Sequence, residues 1–118
     1  EAGLLDALTK VRELREEFWR DVKVVGTGNR LNQELEKAGR VADFIELGEV
    51  MILDALDRRE SAGAHFRNEY ATEAGEAKRN DGDWCAVSAW ETRPDGTKVR
   101  HSEPLSFSLI DLQVRDYR

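Results

Sequence analysis

The fold class that this sequence predicts is mainly α: an antiparallel bundle of two to three helices, followed by a C-terminal β-hairpin and an extended tail. Three observations predict it. Apolar residues recur at steps of three and four over the first half of the chain, a glycine-bearing stretch cuts that pattern in two, and the period changes to two from Trp84 onward.

Leu4, Leu5, Leu8, Val11, Leu14, Phe18 and Val22 form the first stripe, with Asp6, Lys10, Arg12, Glu13, Glu16 and Glu17 between them. An amphipathic helix is therefore expected from about Gly3 to Val22. The stretch Val24-Val25-Gly26-Thr27-Gly28-Asn29 breaks the period, and its glycines permit a reversal. The helices on either side should run antiparallel.

The second helical pattern starts at Leu31, with Asn29 or Asn32 placed to accept from the unpaired amides of a helix start. Leu31, Leu35, Ala38, Ala42, Ile45, Ile52 and Leu56 form one stripe, and Val41, Phe44, Leu47 and Met51 form a neighbouring one. Asp43, Glu46, Asp54 and Asp57 keep the remaining side polar. A helix apolar over so wide an arc is covered on more than one side, by its own bundle or by a partner domain. Gly39 and Gly48 each cost about 1 kcal/mol relative to Ala inside a helix, so each marks a kink, a break or a close crossing. Either one bent helix or two short ones is expected between Asn32 and Ser61. Arg58 and Arg59 then fall in the last turn, opposing the negative end of the helix dipole, and Gly63 serves as the left-handed stop.

Residues 71–83 carry Thr72, Glu73, Glu76, Lys78, Arg79, Asn80 and Asp81 without an apolar period, the composition of a solvated loop. From there Trp84, Ala86, Ser88 and Trp90 alternate with Cys85, Val87 and Ala89, as in a strand. Arg93-Pro94-Asp95-Gly96-Thr97 is a turn in which Pro fixes φ and Gly takes a positive φ, and Lys98 to His101 returns as the second strand. Trp84 and Trp90 are expected to cover the helices. Leu105, Phe107 and Leu109 read as a further strand-like run after Glu103-Pro104, with an extended polar tail from Asp111 to Arg118. The whole is expected to be one domain over residues 1–118: bundle at about 3–63, a polar loop at 64–83, hairpin and tail at 84–118.

A chain of 118 residues fits one core. Its 18 basic and 24 acidic residues, net charge −6, supply neither a basic stripe for a phosphate backbone nor a polybasic anchor for anionic lipid. No nucleic acid and no direct membrane contact is expected. No apolar run approaches the ~20 residues of a spanning helix, and a cytoplasmic setting is the expectation. Cys85 is the lone cysteine and reads as a small buried hydrophobe rather than a redox centre. The chain opens on Glu1 and enters a helix at once, as a piece of a larger protein would.

Constellations that suggest chemistry are each incomplete. Gly26-Thr27-Gly28 lacks a preceding strand and a third glycine, so it reads as a helix–helix turn. His65 and His101 stand apart from any metal-ligand spacing. Arg58, Arg59 and Arg67 around Glu60 could fork onto a dicarboxylate, but no nucleophile or second carboxylate completes a site. Ion pairing at a helix end is the simpler reading. No catalytic, cofactor-binding or metal-ligating residue is expected.

The segment Arg59-Glu60-Ser61-Ala62-Gly63-Ala64-His65-Phe66-Arg67, RESAGAHFR, resembles the signature R-E-S-x-G-x-H-x-R of the C-terminal domain of succinate dehydrogenase and fumarate reductase flavoprotein subunits. Asp83-Trp84 and Glu103-Pro104-Leu105 resemble the same family, and so does the order of parts. Ala62 stands where the family's most familiar form has Arg. The resemblance implies a domain that closes the flavoprotein by packing on its FAD-binding domain, with Arg59, Glu60, Ser61, Gly63, His65 and Arg67 as inter-domain docking residues. It also implies a parent that interconverts succinate and fumarate. FAD and the substrate residues belong to the rest of that parent, an iron–sulfur subunit is its partner, and the assembly is peripheral on the cytoplasmic face of a bacterial inner membrane. L-aspartate oxidase and adenylylsulfate reductase resemble the same superfamily and remain alternatives, as does a non-enzymatic helical interaction module.

Overall fold

A computed structural model of the chain describes residues 1–26, 28 and 30–113. They fall into two compact units, Glu1–Arg79 and Asn80 onward.

The first unit is built on two long helices. Helix α1 spans Ala2–Asp21 and helix α2 spans Gln33–Asp57. Of the two predicted caps, Asn32 starts α2: its Oδ1 accepts from the amides of Glu34 at 3.1 Å and Leu35 at 3.3 Å. Asn29 lies outside the described residues. The Asn32 amide also donates to the Val25 carbonyl at 3.0 Å, which ties the connector to the cap. Gly26 has φ +116°, and a Cβ there would lie 2.6 Å from Asn32 Nδ2, so this position demands glycine.

The helices are antiparallel, because Arg12 meets Glu49 whereas Arg15, one turn on, reaches back to Glu46. Helix α2 continues unbroken through Gly39 and Gly48, which excludes two short helices. At Gly48 a Cβ would stand 3.8 Å from Val11 on α1, so that glycine marks a helix crossing; at Gly39 the space is open.

The predicted helix end is corrected. Helix α2 stops at Asp57, Arg58 is already extended, and the last turn contains no basic residue. Gly63 does have a left-handed φ of +59°, but it sits in a tight turn in which the amides of Ala62 and His65 donate to each other's carbonyls. It is not the helix stop. The physical reason is that the helix-end carbonyls already have donors from further along the chain, described below, and need no local glycine cap. The predicted loop at 71–83 is likewise more ordered than its composition suggests. A short 3₁₀ turn occupies Asn68–Tyr70, Thr72 and Glu76 close a turn around Gly75, and the amide of Lys78 donates to the Tyr70 carbonyl at 3.1 Å.

In the second unit, a single helical turn, α3, spans Asp81–Trp84, and strands β1, Ala86–Thr92, and β2, Lys98–Pro104, pair antiparallel from Ala86 opposite Pro104 to Thr92 opposite Lys98. The turn is the one that Pro-Asp-Gly predicts: Gly96 has φ +85° and its amide donates to the Arg93 carbonyl at 2.9 Å. Thr97 donates to the Asp95 carboxylate and holds its pKa below the ordinary value. Three expectations are corrected here. Trp84 belongs to the helical turn rather than the strand, since the Asn80 carbonyl accepts its amide. Cys85 is half-buried, not a core residue. Leu105, Phe107 and Leu109 form no strand: β2 ends at Pro104, after which the Leu105 amide donates to the Cys85 carbonyl at 3.0 Å.

Candidate functional site

The RESAGAHFR segment follows the C-terminal end of α2, and three of its polar residues are among the most enclosed of the described residues. Glu60, Ser61 and Arg67 are buried, together with Glu49; among the described residues Ile45 is the one hydrophobic side chain that reaches the same burial. Each of these four polar residues has a partner within its own unit, although Arg67 Nε makes no hydrogen bond and only approaches the Glu69 carboxylate at 3.5 Å.

Ser61 is fully enclosed. Its amide donates to the Lys78 carbonyl at 2.9 Å, while its hydroxyl accepts from the Arg67 amide at 2.9 Å and lies 3.2 Å from the Arg67 carbonyl, to which it donates. A short hydroxyl side chain thus closes the 61–67 loop where no strand partner exists. The Glu60 carboxylate accepts from Nε and Nη2 of Arg58 at 2.9 and 2.7 Å. His65 Nε2 stands 3.3 Å from the Arg58 carbonyl, a contact that assigns the proton to Nε2.

Arg67 does most for the helix end. Its Nη1 donates to the carbonyls of Leu56 at 3.1 Å, Ala55 at 3.3 Å and Arg58 at 3.5 Å. Its guanidinium lies 5.0 Å from the Tyr70 ring centroid, and its Nη2 and Nε approach the carboxylates of Glu1 and Glu69 at 3.4 and 3.5 Å. The cation opposing the α2 dipole is therefore Arg67, returned to the helix end by a loop, rather than Arg58 or Arg59. The outward-facing members of the predicted set are Arg59 and Gly63, with His65 half-buried; Phe66 beside them is 50% exposed.

A second polar cluster was not singled out from the sequence. Glu49, 3% exposed, accepts from Arg12 Nε at 2.7 Å and from Arg15, which also bonds Glu46 at 3.2 Å. Burial alone pushes the Glu49 pKa up, but hydrogen bonds and charge from Arg12 and Arg15 outweigh it and hold the carboxyl below its ordinary value. Burial works against the Arg15 cation too, and Glu49 and Glu46 outweigh it, raising that pKa. The sequence carried a signal for this cluster: Glu49 lies four residues after Ile45 and seven before Leu56, inside the apolar stripe.

Chemically, this arrangement holds a fold together. The buried donors and acceptors of the signature are directed at backbone and side chains of the same unit. Among the described residues there is no group of three or more His, Cys, Asp or Glu able to hold a metal ion. The glycines at 26 and 28 lie between α1 and α2, without the preceding strand that presents a dinucleotide loop.

Residues 1–117 match the family model for the fumarate reductase flavoprotein C-terminal region. The chain belongs to that family. It is also 29% identical over 115 residues to the succinate dehydrogenase flavoprotein subunit of Bacillus subtilis (strain 168), an alignment covering 97% of this chain and 18% of that protein. The chain therefore spans less than a fifth of that relative's length. The placement agrees with the resemblance carried by RESAGAHFR. No helix among the described residues is long and apolar enough to cross a membrane.

Proposed function

We propose that this chain is the C-terminal helical domain of a succinate dehydrogenase/fumarate reductase flavoprotein subunit and that it closes the subunit by packing against the FAD-binding domain. The parent interconverts succinate and fumarate, holds FAD outside residues 1–118, passes electrons to an iron–sulfur subunit, and is peripheral on the cytoplasmic face of the bacterial inner membrane. The observation that carries this reading is the family match over residues 1–117, joined to a signature whose buried groups serve the fold.

Within the signature the docking work divides. Glu60, Ser61 and Arg67 set the shape of the loop from inside, while Arg59, Gly63 and His65, with Phe66 beside them, meet the FAD-binding domain. Purification of the polypeptide that contains this chain together with its preceding sequence tests the reading. Expected are bound FAD and dye-coupled oxidation of succinate. A flavoprotein that oxidises L-aspartate and not succinate, or a polypeptide without flavin, would refute it. The 1–118 chain alone should bind neither FAD nor succinate in a titration reaching micromolar affinity.

A further inference from the structure

The seam between α1 and α2 has two unlike edges. With about 100° between successive residues, Glu49 and Glu46 lie to one side of Ile45 on α2, and Arg12 and Arg15 lie to the matching side of Val11 on α1. Those four close the charged edge by the ion pairs described above. On the opposite side of the same helices lie Leu14 of α1 and Phe44 and Met51 of α2, with Val41 nearer the seam and Leu47 further out. All five are open: Leu14 51%, Val41 45%, Phe44 66%, Leu47 55% and Met51 63% exposed. Helix α2 thus spends one apolar face on α1 and has a second, at steps of three and four, exposed among the described residues.

We propose that the Leu14/Val41/Phe44/Leu47/Met51 face is a docking surface for the remainder of the same flavoprotein polypeptide, independent of the RESAGAHFR end of α2. This rests on the reading under Proposed function. Three observations favour that occupant. The chain covers 18% of the length of the relative it matches, so the larger part of such a polypeptide is available and covalently linked, at high effective concentration. The five side chains are uncharged and exposed at steps of three and four, and large apolar side chains left open together mark an interaction surface. Finally, the ion pairs close the opposite edge of the seam, so the apolar edge is the approach left open along both helices.

The test is cysteine labelling of the full flavin-loaded polypeptide in a Cys85→Ser background, read site by site by peptide mass spectrometry. Phe44→Cys and Met51→Cys report on the face, Leu47→Cys is an independent third reporter if either fails to fold, and Glu13→Cys on exposed α1 surface is the control. Relative to the rate in denaturant, the face cysteines should react about tenfold more slowly or less, while the control reacts near its unfolded rate. Equal reaction at all sites in a flavin-loaded protein overturns the inference and leaves the functional reading standing. Protection that vanishes on dilution to the monomer assigns the face to a second copy and also overturns it. A polypeptide without flavin overturns the functional reading and the inference together.

Discussion

Arg67→Ala is the most informative single change, because one side chain connects the end of α2 to the loop that follows. The guanidinium is 4% exposed, whereas its carboxylate partners Glu1 and Glu69 are 66% and 44% exposed. The ionic contribution is therefore screened and small. What matters more is the helix end: truncation removes the donor to the carbonyls of Ala55 and Leu56 and the ring contact with Tyr70. A half-buried carbonyl left without a donor costs about 1–3 kcal/mol, and water entering the vacated space recovers part of it, so a loss of about 2–4 kcal/mol is expected. That is a large share of a stability of about 5–15 kcal/mol. Urea denaturation of the 1–118 chain measures it, as a lower midpoint at unchanged slope. Arg67→Lys keeps the charge but not the fork or the ring contact, and should recover about half the loss. A change within ~0.5 kcal/mol for Arg67→Ala would refute the capping role and return Arg67 to a purely inter-domain one.

Three further outcomes follow from the geometry. Glu49→Gln should destabilise by about 1–2 kcal/mol at neutral pH, less than a fully buried pair because Arg12 is half-exposed. Since the Glu49 pKa is depressed in the fold, its contribution is present above the unfolded carboxylate value and is lost as pH falls through the folded one. The difference between wild type and variant should therefore shrink in denaturation series taken down toward ~pH 3, and a constant difference would contradict the assignment. Asn32→Ala removes two accepted amides and one donated bond and should cost about 1 kcal/mol, with Asn32→Asp keeping the cap but losing the tie to Val25; thermal melts separate the two. Trp84→Ala removes the ring beneath the Arg100 guanidinium, 4.9 Å away, and the side chain is half-buried, so about 1–2 kcal/mol is expected; a loss below ~0.5 kcal/mol would mark it as a free platform.

Periodicity located both helices to within a few residues, because one face of each is pressed on the other and the apolar spacing records that face. The Asn32 cap and the Pro-Asp-Gly turn were legible for a similar reason: each depends on the local preferences of one or two residues. The end of α2 was not legible. Its cap comes from Arg67, ten residues beyond Asp57, and a donor returned by a loop leaves no trace in local spacing. Arg58 and Arg59 offered a plausible local substitute, and Gly63 a plausible stop, so local rules gave a consistent but longer helix. Trp84 failed differently, since alternation continued one step past the strand into a helical turn that Asn80 begins.

The site itself was half legible. RESAGAHFR marks the segment where buried polar residues gather, but nothing in the letters separates a buried glutamate from an exposed one. Burial of Glu60, Ser61 and Arg67 follows from closure of the loop over residues 58–78, which depends on the amides of Ser61 and Lys78 meeting distant carbonyls. That closure changes what the motif is for. A loop whose buried polar groups are consumed internally holds a fixed shape, and on the proposed docking that shape would let Arg59, Gly63 and Phe66, with half-buried His65, meet the FAD-binding domain without a large ordering cost. On the same proposal, the apolar edge along α1 and α2 would supply area while the loop supplies orientation. On this view, changes inside the loop act first on stability and changes on the apolar edge act first on assembly, a separation that the Arg67 and Phe44 variants can measure in the same protein.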